Sequence, residues 1–242
     1  MSNKIVFQTE IQLAKSNAIV HQFSSYYLVQ NCKNLKEPKS HVIFLKENFK
    51  KCDISNFNKP CNHKYHIVDP FGKQIEMKPS FLSYAMHINY PITPNRPISD
   101  SFHLEKISSN NHWKQYLEIR YKIEEAFSLN KKQVNHLIKT MIHRQSKLDG
   151  SWYFFKKENT IIGAIGLFTF QNKAHLVGRL QDVDILPLYQ GKNYGIQLLL
   201  HTIRKSKSLG HNSLSLCCDF GEWPKKYYEK VGFKTVGLWA IY

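Results

Sequence analysis

The stretch Val183-Asp184-Ile185-Leu186-Pro187-Leu188-Tyr189-Gln190-Gly191-Lys192-Asn193-Tyr194-Gly195-Ile196 has the residue types of an anion site. An apolar strand runs into a tight turn, and the turn opens a helix. The first N–H groups of a helix have no internal acceptor and stand at the positive end of its dipole. Gly191 and Gly195 let main chain approach a phosphate closely. Asn193 is the non-glycine type that best tolerates a left-handed backbone, and Lys192 adds charge. Gly-x-x-x-Gly alone carries little; the order strand, turn, amphipathic helix carries more.

Groups able to move protons lie on both sides of this turn. Upstream, strand alternation places Arg179, Gln181, Val183 and Ile185 on one face and Asp182 and Asp184 on the other, unless a bulge intervenes. Downstream stands Tyr227-Tyr228-Glu229-Lys230-Val231-Gly232-Phe233. Cys52, Cys61, His63 and His66 cluster, but their spacing is wrong for a zinc knuckle, so the expectation is no metal. The odd count of five cysteines fits a reducing compartment rather than a disulfide framework. No apolar run has membrane-spanning length, and Met1–Glu10 lacks a secretory pattern, so the expected location is the cytoplasm. The net charge of +16 favours anionic partners without choosing among them. The lysines are scattered, as on a solvated surface, and no nucleic-acid-binding signature accompanies them, so nucleic acid ranks last as a partner.

These groups need elements to position them. Three prolines in Asn89–Pro97 mark a linker between an N-terminal domain, residues 1–95, and a C-terminal domain, residues 100–242. In the first, Tyr26–Gln30 and Val42–Leu45 read as strands, although Ser40–Lys51 also fits a helix. In the second, Ser101–Ile107 is a weak strand, and Asn111–Phe127 and Lys131–Leu148 are helices by their apolar period. Trp152–Lys156 and Ile161–Phe170 form a hairpin, and His175–Leu186 is a third strand. Gly191–Ser208 is a helix stopped by Gly210, Ser213–Cys217 a strand, Trp223–Lys230 a short helix, and Lys234–Tyr242 the last strand. The fold class is α/β (α+β): a mixed, mainly antiparallel sheet flanked by helices, with a smaller N-terminal α/β domain.

Gln190-Gly191-Lys192-Asn193-Tyr194-Gly195 resembles the acetyl-CoA signature of the GNAT acetyltransferases, Gln/Arg-x-x-Gly-x-Gly/Ala, with Asn193 where that family has glycine. Tyr228 with Gly232-Phe233 is similar to its second hallmark, Tyr-x-x-x-Gly-Phe. Arg179–Val183 with Asp219, Trp223-Pro224-Lys225 and Tyr228 resembles a subgroup whose N-terminal region is a degenerate half-copy of the fold. The resemblance implies an acyltransferase that moves acetyl from acetyl-CoA, as co-substrate, directly to an amine. It implies cofactor contacts at Val183, Ile185, Leu186, Gln190, Gly191, Lys192, Asn193, Tyr194, Gly195 and Ile196. It implies Tyr228 as the acid at the thiolate. The base stays open among Asp184, Asp182 and, through water, Gln181. Trp113, Tyr116, Arg120 and Tyr121 either line the acceptor side or are core. The competing readings are a non-catalytic CoA-binding or regulatory module and a basic nucleic-acid-binding protein. The oligomeric state is unreadable from the sequence.

Overall fold

A computed structural model describes residues 2–30, 41–50, 65–72, 78–91, 96–172 and 175–242 of the chain. Its elements are α1 (Ser2–Lys15), β1 (Ile19–Gln22), β2 (Tyr26–Gln30), β3 (His41–Leu45), β4 (Tyr65–Asp69), β5 (Phe81–Asn89) and β6 (Phe102–Lys106). They continue as α2 (Asn110–Glu124), α3 (Lys131–Lys147), β7 (Gly150–Lys157), β8 (Thr160–Asn172), β9 (His175–Ile185), α4 (Tyr194–Ser208), β10 (Ser213–Asp219), α5 (Glu222–Glu229) and β11 (Lys234–Ile241). The class is the mixed α+β one the sequence suggested. Cys52, Cys61 and His63 lie outside the described residues. Among the described residues no group of three metal-ligating side chains occurs, and no helix is long and apolar enough to cross a membrane.

The chain divides into two compact units. The first holds residues 1–87 with 216–228 and 233–242; the second holds 88–215 with 229–232. In the first, the strands follow the order β1-β2-β3-β4-β11-β5, with β3 and β4 parallel and the other neighbours antiparallel. The C-terminal strand β11 thus sits between β4 and β5. Helix α1, which the sequence reading missed, lays Val6, Phe7 and Ile11 against Val68, Ala85 and Trp239. Asn3 anchors it: its Oδ1 accepts from the Trp239 indole at 2.8 Å, and its Nδ2 donates to the Pro70 carbonyl at 2.7 Å. At residues 41–45 the strand reading prevails over the helical one, because His41, Ile43 and Leu45 alternate into a core with Phe49.

In the second unit, β9-β8-β7-β6 form an antiparallel sheet, and the start of β10 pairs parallel with β9. Strand β7 is apolar on both faces, as expected of a strand covered on both sides. Trp152 and Phe154 face α2 and α3: both rings lie near Tyr116, and the Trp152 indole donates to the Met141 carbonyl at 3.2 Å. Phe155 faces the other way, toward His201 of α4. Gly166 sits opposite Trp152, and a Cβ there would come within 2.5 Å of the indole ring. Gln197, His201 and Arg204 form one stripe of α4 and hold the segment entering this unit. The Gln197 amide bonds the Ser99 N–H and the Pro97 carbonyl, His201 Nε2 meets the Ser99 carbonyl, and Arg204 pairs with Asp100.

Candidate active site

Strand β9 ends at Ile185, and Pro187–Tyr189 make one turn of 3-10 helix before the main chain reverses. The Gln190 side chain closes this turn by donating to the Ile185 carbonyl at 2.9 Å. Leu186 is buried and its N–H bonds the Ile162 carbonyl. Gly191 has φ +76°, and open space surrounds the position a Cβ would take. Asn193 has φ 59° and ψ 11°, the left-handed conformation its side-chain type tolerates. That is why the helix starts at Tyr194 and not at Gly191. Asn193 is the N-cap of α4, and no side chain caps this end. The first backbone bonds of the turn run from the Ile196 and Gln197 N–H groups to the Asn193 carbonyl. The Ile196 side chain turns into the core and anchors the turn. The Lys192 ammonium lies over the Tyr189 ring and 3.5 Å from the Leu188 carbonyl. The Tyr194 ring is held between Phe102 and Lys157. An exposed, uncapped helix start preceded by two left-handed residues fits a diphosphate by donor chemistry and by space.

The pairing of β8 with β9 shifts between Ala164 and Gly166: Ala164 faces Asp184, and Gly166 faces Gln181. One extra residue in β9 makes a bulge, and Asp182 within it has φ 44°. The bulge corrects the alternation expected from the sequence. Ala164, Gly166 and Phe168 alternate on one face of β8, so their partners Asp184, Gln181 and Arg179 share a face too. Val183, in the bulge, is half-buried.

Helices α2 and α3 cover that face. Arg120, buried on α2, donates to Asp184 and also pairs with Glu124 one turn along the same helix. Burial pushes the Asp184 carboxyl up, against the opposing pull of the Arg120 guanidinium, to about 6. The Arg144 guanidinium on α3 stands 3.4 Å from the Gln181 amide oxygen, whose nitrogen donates to the Leu180 carbonyl. Tyr116 is fully buried in the same cluster, and burial drives its phenol pKa upward. Tyr116 and Arg120 therefore belong to a charged core. Tyr121 instead takes a hydrogen bond from Asn135 near the surface, and Trp113 packs on Tyr116. Arg120 as partner of Asp184 escaped the sequence reading, since nothing in spacing links residues that far apart. In the first unit, Tyr228 is buried edge-on against Tyr227 and Phe233, while Tyr227 stacks on Trp223.

The family model described as the acetyltransferase (GNAT) family matches residues 113–233, half of the chain. The chain belongs to the GNAT acetyltransferase family. No curated protein matches this sequence. Among solved structures, a GCN5-related N-acetyltransferase from Kribbella flavida is similar over 100% of this chain and 94% of its own, with TM-score 0.64 and 8% identity. A functionally unknown conserved protein from Staphylococcus epidermidis is similar over 100% of this chain and 98% of its own, with TM-score 0.66 and 14% identity. A GCN5-related N-acetyltransferase from Sphaerobacter thermophilus covers 96% of this chain and 84% of its own at TM-score 0.58 and 11% identity. At such identities the likeness is one of fold, and it extends through the N-terminal residues that the family model leaves out.

Proposed function

We propose that this GNAT protein is an acetyl-CoA-dependent N-acetyltransferase of the cytoplasm that acetylates an amine of a small molecule or protein by direct transfer. The observation that carries this is the uncapped start of α4 behind left-handed Gly191 and Asn193. The amides of residues 191–195 would hold the diphosphate, with Lys192 adding charge. Acetyl-CoA supplies an activated acyl group as a thioester. The chain's part is proton management. Asp184 takes a proton from the ammonium form of the acceptor, the amine nitrogen then bonds to the acyl carbon, and the C–S bond breaks. The thiolate takes a proton from Tyr228, the acid assigned by its motif, and the second proton that the nitrogen sheds as the amide forms returns this phenolate to the phenol. Gln181, bonded to Arg144, holds the approach to Asp184 in place. Asp184 suits its role because its pKa of about 6 leaves it ionised at neutral pH yet more basic than an ordinary carboxylate.

Calorimetry with coenzyme A tests the first half: heat is expected for the parent and is lost in Gly195→Asp, which sets an anion among the amides. Free CoA release with an amine panel tests the second: Tyr228→Phe lowers turnover by about 10²-fold while leaving CoA affinity within about twofold. A parent without heat, or a Gly195→Asp variant equal to it, sinks the reading.

A further inference from the structure

Lysines that stand scattered in the sequence fall into line on α3. Lys132, His136, Lys139, His143 and Lys147 are spaced four, three, four and four residues apart. At about 100° per residue they share an arc of about 80°. Val134, Ile138 and Met141, which α3 buries, lie on the opposite side. Lys132, His136, Lys139 and Lys147 are exposed, and His143 is half-buried. No acidic residue occurs among the 17 residues of α3. None of the three lysines pairs with a carboxylate among the described residues. The neighbouring α2 is built differently: Glu118 sits between Lys114 and Lys122 at the four-residue spacing that lets opposite charges meet. A merely solvated helix face has that mixed pattern. A second observation sets α3 apart. Its first two residues are Lys131 and Lys132, at the positive end of the helix dipole, where anions are favoured and cations are not. Local stability does not account for them.

We propose that this stripe of α3 docks the protein on duplex DNA by gripping the phosphate backbone. The stripe runs about 22 Å from Lys132 to Lys147 at ~1.5 Å per residue, and one strand of a duplex sets a phosphate about every 3.4 Å along such a length. Ammonium groups donate to phosphate oxygens as point charges and carry no base preference. A positive stripe along one helix of a chain with sequence pI ≈ 9.6 is the electrostatic footprint of such binding. The make-up of the arc argues against other anionic partners. Protein interfaces centre on apolar and aromatic side chains and are poor in lysine. A helix lying on a membrane presents an apolar face, which α3 buries in its own core. Single strands are held on aromatic platforms, and the arc has none. Duplex RNA is recognised partly through its 2′-hydroxyl groups, whereas the arc offers charge for phosphate alone. The docking is independent of the acetyl-transfer reading and adds a macromolecular partner to it.

The test is fluorescence anisotropy of a labelled DNA duplex of about 20 base pairs, titrated with the full chain at salt concentrations from about 50 to about 200 mM. The parent should bind two duplexes of unrelated sequence with affinities within about threefold of each other. The triple variant Lys132→Gln, Lys139→Gln, Lys147→Gln should lose about tenfold or more in affinity. Its slope of log K against log salt should flatten by about 2.7, three contacts at about 0.9 each. Gln matches Lys in helix propensity, so α3 itself is spared. A control triple, Lys15→Gln, Lys78→Gln, Lys234→Gln, removes the same charge from exposed sites elsewhere. It should stay within about threefold of the parent with its slope unchanged. If the stripe triple does not fold, Lys139→Gln alone should flatten the slope by about 0.9. Equal losses in the two triples, or no binding at about 50 mM salt, overturns the proposal. So does displacement of the duplex by poly-L-glutamate or by phosphatidylserine vesicles at equal negative charge, or tighter binding of a duplex RNA of the same length.

Discussion

At the scale of single residues the decisive group is Asp184. Its carboxyl titrates near 6 because burial outweighs the Arg120 contact. As the proposed base it works only when deprotonated, so kcat/KM in the parent should rise with pH through about 6 and level above it. In Asp184→Asn that rise should vanish and the rate should fall by about 10²-fold, the usual worth of a positioned base. Arg120 keeps Glu124 as partner in this variant, so the fold survives. A pH–rate profile of the two proteins measures this; an Asp184→Asn enzyme that still gains rate through about 6 excludes Asp184 as the base. The turn before α4 was legible in the sequence because a left-handed main chain favours particular residue types, which Gly191 and Asn193 advertise. The bulge was not, because Asp182 enters the left-handed region with no glycine to announce it. The partnership of Arg120 with Asp184 was equally silent, since it is made by packing between a helix and a strand.

At the scale of elements, the sheet of the second unit depends on close packing around Trp152. Gly166 leaves room for that indole, and a methyl group there would stand 2.5 Å from it. Gly166→Ala should therefore destabilise the protein by about 1–3 kcal/mol, the usual cost of overpacking a tight core, read as a lower urea midpoint at unchanged slope. A midpoint equal to the parent's would mean that Trp152 yields freely. Helical period and strand alternation made α2, α3, β7, β8 and α4 readable, since each buries a regular stripe. Helix α1 escaped because Thr9 is buried among its apolar residues and blurs the stripe. Strand β5 lies next to the proline-rich linker, and its consecutive buried residues Ala85–Ile88 leave no strict alternation to read.

At the scale of the whole molecule, pH should act on stability mainly through buried histidines. Burial lowers His87 to about 4 and also lowers His201 and His211. His211 is clamped between the Ser206 and Thr169 hydroxyls. A histidine with a lowered folded pKa is neutral in the fold while the unfolded chain takes up a proton. Its contribution is complete above the ordinary value of 6.5 and is lost as pH falls toward the folded value. Asp184 acts in the opposite sense, adding stability as pH falls from about 6 toward 3.8, but it is one group against three. The thermal midpoint should thus drop by several degrees between about pH 7 and about pH 5, and His87→Gln should flatten the slope. A midpoint that rises on acidification would show that the carboxylates dominate.

The position of β11 carries a practical lesson for anyone dissecting this chain. Because the last strand is woven between β4 and β5, a clone trimmed to residues 100–242 would expose both edges of that strand to solvent. It would also bare Trp239, which rests on α1. Open edges of this kind template intermolecular pairing. The trimmed protein should collect in inclusion bodies, whereas the two pieces expressed together in one cell could reassemble by strand complementation.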